Sequence, residues 1–161
     1  MKCALCGGSL AVTARTHRYD ECGLPNVHLS GVEVRACRKC GEREVAIPNL
    51  EGLHRCIARG LADKPSRLNG PEVRFLRKFL GRSGQDFAAL MGVSAETVSR
   101  WEGGKQPLSA LADRALRLMA LHGTPADDYS LDRLKGIDSS PRREAGLEIE
   151  MRGRAWKLAT A

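Results

Sequence analysis

Four cysteines in two pairs, Cys3-Ala-Leu-Cys6-Gly and Cys37-Arg-Lys-Cys40-Gly, have the type and spacing that hold a metal ion. A CxxC turn presents two thiolates to one ion, and a glycine after the second cysteine relieves the tight backbone behind its sulfur. Two such turns complete a tetrahedral S4 site with no position left for water, so the expected chemistry is one structural zinc ion per chain. The 30 residues between Cys6 and Cys37 are no obstacle, because closure entropy grows only logarithmically, by about 0.6 kcal/mol per doubling of loop length. A thioredoxin-like redox role needs a single CxxC in a βαβ setting and is the weaker reading. Of the remaining cysteines, Cys22 reads as a loop thiol without a role. Cys56 reads as a core thiol on the apolar face made by Leu50, Leu53, Ile57 and Leu61. His17, His28, His54 and His122 lack ligand or nucleophile spacing and are expected at the surface or partly packed, with His28 the one spare ligand inside the cysteine loop.

The second chemistry lies in Gly84 to Gly103, GQDFAALMGVSAETVSRWEG. Two helices crossing over a short turn need a small residue where they touch, a glycine in the turn and apolar residues pinning the second helix. Ala88, Gly92, Val98 and Trp101 supply these, and Phe87, Met91 and Val93 complete the apolar set. That leaves Glu96, Thr97, Ser99 and Arg100 on the opposite face, where a helix-turn-helix reads bases in the major groove. Arg100 can donate two hydrogen bonds to guanine, worth about 1 to 3 kcal/mol of discrimination, while Glu96 can accept from cytosine and Thr97 can meet a base or a thymine methyl. Gln85, Ser94, Ser99 and Lys105 are placed for phosphates. The competing use of Arg100 is an ion pair with Glu96 four residues earlier. One such unit covers a half-site, so a homodimer on an operator palindrome of double-stranded DNA is expected.

The elements that must position these residues give an α+β chain. A small zinc-stapled β-rich unit spans residues 1–48, with strands over Ser9 to Thr16 and Val27 to Ala36, a break at Gly31 that reads as a bulge, and a last strand over Glu44 to Ile47. Residues 49–70 are a connecting helix, opened by Pro48-Asn49 and running to about Leu61, then a linker over Ala62 to Gly70. That linker is expected to bury little and to let the units reorient. Residues 71–122 form a mostly α, lambda-repressor-like helix-turn-helix unit. Its first helix runs from Pro71 through Leu80 on Val73, Leu76 and Leu80, and its second is capped by Ser83 and faces inward with Phe87, Leu90 and Met91. The recognition helix, Ala95 to Glu102, is capped by Ser94. Ser109 to Leu121 closes the unit with Leu111, Ala115, Leu118 and Met119 inward. The tail, 123–161, reads as a short hairpin or as disorder, with Leu147, Ile149 and Met151 alternating before Trp156 and Leu158.

Composition agrees with this layout. The chain has 161 residues, 42% hydrophobic and 4% aromatic, so two small units would each hold little core and need a staple. Residues 1–122 carry 19 basic and 12 acidic groups and the tail seven of each, so the net +7 lies before the tail. Eight basic residues between Leu53 and Arg82 face only Asp63 and Glu72, a placement suited to a polyanion. There is no run of 18 apolar residues and no secretory signal in MKCALCGG, so a cytoplasmic protein with no membrane partner is expected. In that reducing compartment cysteines bind metal rather than pair. Paired carboxylates, a Ser/His/Asp order, a phosphate-cradling loop and an open metal site are all lacking, so no enzyme is expected.

With MKCxxC at its start, CxxCGE in the middle and GVSAETVSRWEGGKQP in a helix-turn-helix of the Xre/Cro type, the chain resembles the MqsA (YgiT-type) antitoxins over roughly residues 1 to 122. The resemblance implies a type II toxin–antitoxin component: a zinc-held N-terminal domain that contacts a toxin protein, and a C-terminal domain that dimerises and represses its own operon. It places the zinc ligands on Cys3, Cys6, Cys37 and Cys40 and the base-reading arginine on Arg100. The best-known member has an asparagine among its base readers where this chain has Glu96, and it lacks a tail of this length. A stand-alone zinc-containing regulator without a toxin is the alternative reading.

Overall fold

The computed structural model describes residues 1–122, 135, 149–152 and 155–158. The described chain is α+β. A three-stranded antiparallel sheet comprises β1 (Leu10–Arg18), β2 (His28–Cys37) and β3 (Arg43–Ala46) in that order. Five helices follow: α1 (Leu50–Asp63), α2 (Gly70–Phe79), α3 (Gly84–Met91), α4 (Ala95–Glu102) and α5 (Ala110–His122). In the tail, β4 (Ile149–Arg152) and β5 (Ala155–Leu158) pair as an antiparallel hairpin. Leu147 lies outside the described residues.

β1 and β2 pair from Leu10↔Cys37 at one end to Arg18↔His28 at the other. The register slips once, where Arg15 faces Val32 and His17 faces Leu29. Ser30 and Gly31 therefore stand opposite Thr16 alone, and Gly31 takes φ 73°, a left-handed conformation that glycine adopts without steric cost. The bulge expected at Gly31 is present.

The sheet has almost no core of its own. Of residues 1–48 only Cys3, Tyr19, Leu24 and Cys37 are buried. Leu24, from the loop between β1 and β2, belongs to the main cluster, which otherwise consists of helical and connector residues such as Ala58, Leu68, Val73, Leu76, Phe87, Val98, Trp101 and Leu116. In the same loop, burial holds the Tyr19 phenol above its usual pKa range. Its neutral hydroxyl lies 2.9 Å from His54 Nε2 of α1, and the His54 ring meets Phe75 of α2 edge-on. This end of the hairpin is thus docked on the helices.

The reading of Ala62 to Gly70 as a loose linker is corrected. Leu68 is buried in the main cluster, and its N–H donates to Asp113 Oδ2 of α5 at 2.8 Å. Arg117, ion-paired to Asp113 at 2.6 Å, donates to the carbonyl oxygens of Ala62, Lys64 and Ser66. Lys64 also pairs with Glu72 at 2.7 Å. The connector holds few large apolar groups, but buried backbone polar groups need partners, and α5 supplies them.

Two helix phases also differ from expectation. On α5, Leu111 is 78% and Leu118 58% exposed, while Ala112, Asp113, Leu116 and Ala120 are buried. With Asp113 anchored on Leu68, this helix turns Ala112, Leu116 and Ala120 to the core and leaves Leu111 and Leu118 outside. On α1 the buried positions are Ala58 and Ala62, so Cys56 is exposed rather than a core thiol.

At its N-terminus α2 has a capping box, in which Asn69 accepts from the Glu72 N–H at 3.0 Å and Glu72 accepts from the Asn69 N–H at 2.8 Å. Gly70 beside it lets α2 touch the end of α4. A Cβ there would stand 3.0 Å from the Trp101 carbonyl oxygen and closer still to that of Glu102. Gly70→Ala is therefore expected to cost roughly 1–3 kcal/mol through overpacking, despite the better helix propensity of alanine. Chemical denaturation should show it as a lowered midpoint; an unchanged midpoint would mean that the two helices separate freely.

Candidate metal centre and exposed helix face

The sequence folds each CxxC turn in the same way. The Gly7 N–H donates to the Cys3 carbonyl at 2.9 Å and the Gly41 N–H to that of Cys37 at 3.0 Å. In return the Cys3 N–H reaches the Gly8 carbonyl and the Cys37 N–H that of Glu42, both at 2.8 Å. Gly7 and Gly41 take φ 69° and 77°, the conformation for which glycine was expected there.

Antiparallel pairing of β1 with β2 brings the two turns together at one end of the sheet. Cys3 and Cys40 Sγ lie 3.7 Å apart, Cys6 and Cys37 Sγ 3.4 Å, and all four sulfurs lie within 4.8 Å of one another. A tetrahedron with metal–sulfur bonds of about 2.3 Å has sulfur–sulfur edges of about 3.8 Å, so the four sulfurs fit one ion. Gly8 was not singled out by sequence reasoning, but it belongs to this cradle. A Cβ there would lie 2.9 Å from Lys39 Cβ, 3.1 Å from Cys37 Sγ and 3.3 Å from Cys6 Sγ. Its only sequence signal is the doubled glycine after Cys6.

The thiols differ electrostatically. Backbone N–H groups of Cys40 and then Lys39 point at the Cys37 sulfur and bring its pKa down to about 6. At Cys40 the Glu42 N–H favours the thiolate, but the neighbouring Cys6 and Cys37 sulfurs oppose it and push the thiol up to about 12. The Cys37 thiolate is thus favoured near neutral pH, whereas the Cys40 thiolate needs a cation to form beside it.

Among the described residues, no other histidine, cysteine or carboxylate joins the four sulfurs. His28 pairs with Arg18 at the opposite end of the hairpin, which removes it as a spare ligand. His54 is partly buried against Tyr19 and Phe75. Cys22, half-buried at the main cluster, directs its thiol to the Tyr19 carbonyl at 3.3 Å.

The second group of expected site residues gathers on α3, α4 and the loop after them. Ser83 caps α3, accepting the Asp86 N–H at 3.0 Å and donating to Asp86 Oδ2 at 2.7 Å. The Ser83 contacts and then the charge of Lys135, 3.6 Å away, hold the Asp86 carboxyl below its usual range. Gly92 ends α3 at φ 64°, and two residues later Ser94 caps α4 by accepting the Thr97 N–H at 3.1 Å. The Thr97 hydroxyl is drawn into the cap, 2.9 Å from Ser94 Oγ. Val98 and Trp101 are buried, as expected of them. Glu96, Ser99 and Arg100 are exposed, as are Gln85, Ser94 and Lys105, whereas Thr97 is half-buried. Arg100 donates to Glu96 at 2.7 Å, the ion pair weighed as the competing use of that arginine.

What fixes α4 in place escaped the sequence reading. Glu102, at its last turn, accepts from Arg77 of α2 at 2.5 and 3.2 Å and from Arg74 at 3.1 Å. Burial raises the pKa of this carboxyl, but the two guanidiniums prevail and hold it below its usual range. Nothing in the order of residues pairs positions 77 and 102; only the packing of α2 on α4 does. No helix among the described residues is long and apolar enough to cross a membrane. Comparison of the chain with protein-family models and with curated proteins gave no match.

Proposed function

We propose that the protein is a zinc-containing, sequence-specific DNA-binding repressor and the antitoxin of a toxin–antitoxin pair, with α4 as its reading helix. One observation carries this reading. α4 is pinned by Val98, Trp101 and the Glu102 clamp on one side, and displays Glu96, Ser99 and Arg100 on the other. A helix so held behind a three-residue turn has the shape and chemistry to enter a major groove. Net charge of +7 supplies the non-specific attraction to phosphates. Gln85, Ser94 and Lys105 flank the face and serve phosphates, and Ser99 serves phosphates or base edges.

The metal in this reading is zinc, chosen by four soft sulfur ligands in a closed set, and its role is structural. The resemblance to the MqsA-type antitoxins assigns toxin binding to the N-terminal unit and predicts a homodimer on a palindrome. The decisive experiment is binding of the full-length chain to the duplex upstream of its own gene. Arg100→Ala is expected to reduce affinity for that duplex by about 5- to 150-fold with little change on random DNA. Lys105→Ala should weaken both alike and reduce the salt slope by about one. Equal losses from Arg100→Ala on both duplexes would make Arg100 a phosphate contact, and indifference of the wild-type chain to its promoter would remove the reading. Co-purification of a small protein from the native host tests the antitoxin role.

A further inference from the structure

The ion pair on α4 changes what Glu96 can do. Arg100 Nη2 donates to Glu96 Oε1 at 2.7 Å, and both side chains stand out from the helix, 54% and 73% exposed. Glutamate precedes arginine by four residues, the order that helix geometry favours. The bond uses one of five guanidinium N–H groups, so the remaining edge of Arg100 is free to donate. A lone carboxylate brought between phosphates would meet a strongly negative field, and guanine offers it only acceptors. Paired with Arg100, the same carboxylate is neutralised and limits the rotamers of the arginine. The next polar group on this turn, the Thr97 hydroxyl, is already engaged with Ser94.

We infer that Glu96 does not read cytosine but is a positioning residue that aims Arg100, so that both side chains govern preference at a single guanine–cytosine pair. This rests on the proposed DNA reading. It makes Arg100 the one long donor of the α4 face and removes a separate cytosine from the expected half-site.

The test is selection from a random-sequence duplex pool by the full-length chain, followed by affinities for the selected duplex and for each single base-pair change. Arg100→Ala should flatten preference at one base pair. Glu96→Ala should reduce preference at that same pair by about 2- to 5-fold, the scale of an exposed ion pair. The double variant should resemble Arg100→Ala alone. Glu96→Gln should not move any position toward adenine, the base a glutamine reader selects. Flattening at a different base pair with additive losses, or a cytosine-to-adenine switch in Glu96→Gln, overturns the inference while leaving the DNA reading intact. Failure of the wild-type chain to enrich any sequence sinks both.

Discussion

Chelating the metal from the full-length chain is expected to unfold β1, β2 and β3 and to leave α2 to α5 folded. Of the four buried residues before α1, Cys3 and Cys37 belong to the sulfur cluster, while Tyr19 and Leu24 lie in the loop that docks on the helices. Between these ends the strands bury no complete side chain, so the sulfur cluster serves as the core of the sheet. Structural zinc contributes about 10–16 kcal/mol in small sites at neutral pH, more than such a sheet could otherwise supply. Cys37→Ser should reproduce the effect, since it removes the sulfur whose thiolate the backbone N–H groups of Cys40 and Lys39 favour. Hydrogen exchange would show protection lost across Leu10–Cys37 and kept in α2 and α4. The helices should not be indifferent, however. Freed from the hairpin, Leu24 leaves their core, and burial of one leucine is worth about 1.5–3 kcal/mol. A chelated chain that keeps its strand protection would show that the metal is incidental to the fold, and collapse of all the helices would show that the two parts do not fold separately.

Asp113→Ala is the second large effect. The Asp113 side chain is about one-tenth exposed, accepts the Leu68 N–H and neutralises Arg117, whose side chain is 16% exposed and spans the carbonyls of Ala62 at the end of α1 and of Lys64 and Ser66 in the connector. Truncation leaves a buried N–H without an acceptor and a guanidinium without a counter-charge, a combination that costs about 3–5 kcal/mol. Asp113→Asn keeps an acceptor for Leu68 and should lose less. Urea unfolding monitored by helical circular dichroism measures both, and a shift under 1 kcal/mol for the alanine variant would mean that the connector is not held by this carboxylate.

These two effects have very different visibility in the residue order. The four-sulfur cluster could be read in advance because its constraint is local. CxxC followed by glycine is a turn, and two such turns on an antiparallel pair of strands must meet. The capped helices were likewise legible, since Ser83, Gly92 and Ser94 act within a few residues of themselves. Asp113 looked like an ordinary helical charge, and Leu111 and Leu118 looked more like core than Ala112 or Ala120. Period-3.6 reasoning locates a stripe but not its phase when leucines occur on more than one face.

Sequence alone therefore determined the grouping of the four cysteines, the order of strands and helices, and the division of α4 into an apolar side and a polar side, because each depends on contacts or periodicities spanning a few residues. Tertiary structure alone decided that the connector is tied to α5 through Asp113 and Arg117, that Leu24 reaches the helical core, and that Glu102 is clamped by Arg74 and Arg77. Those pairings join residues 25 to 55 positions apart, where partner choice follows from how the helices stack and not from local preference.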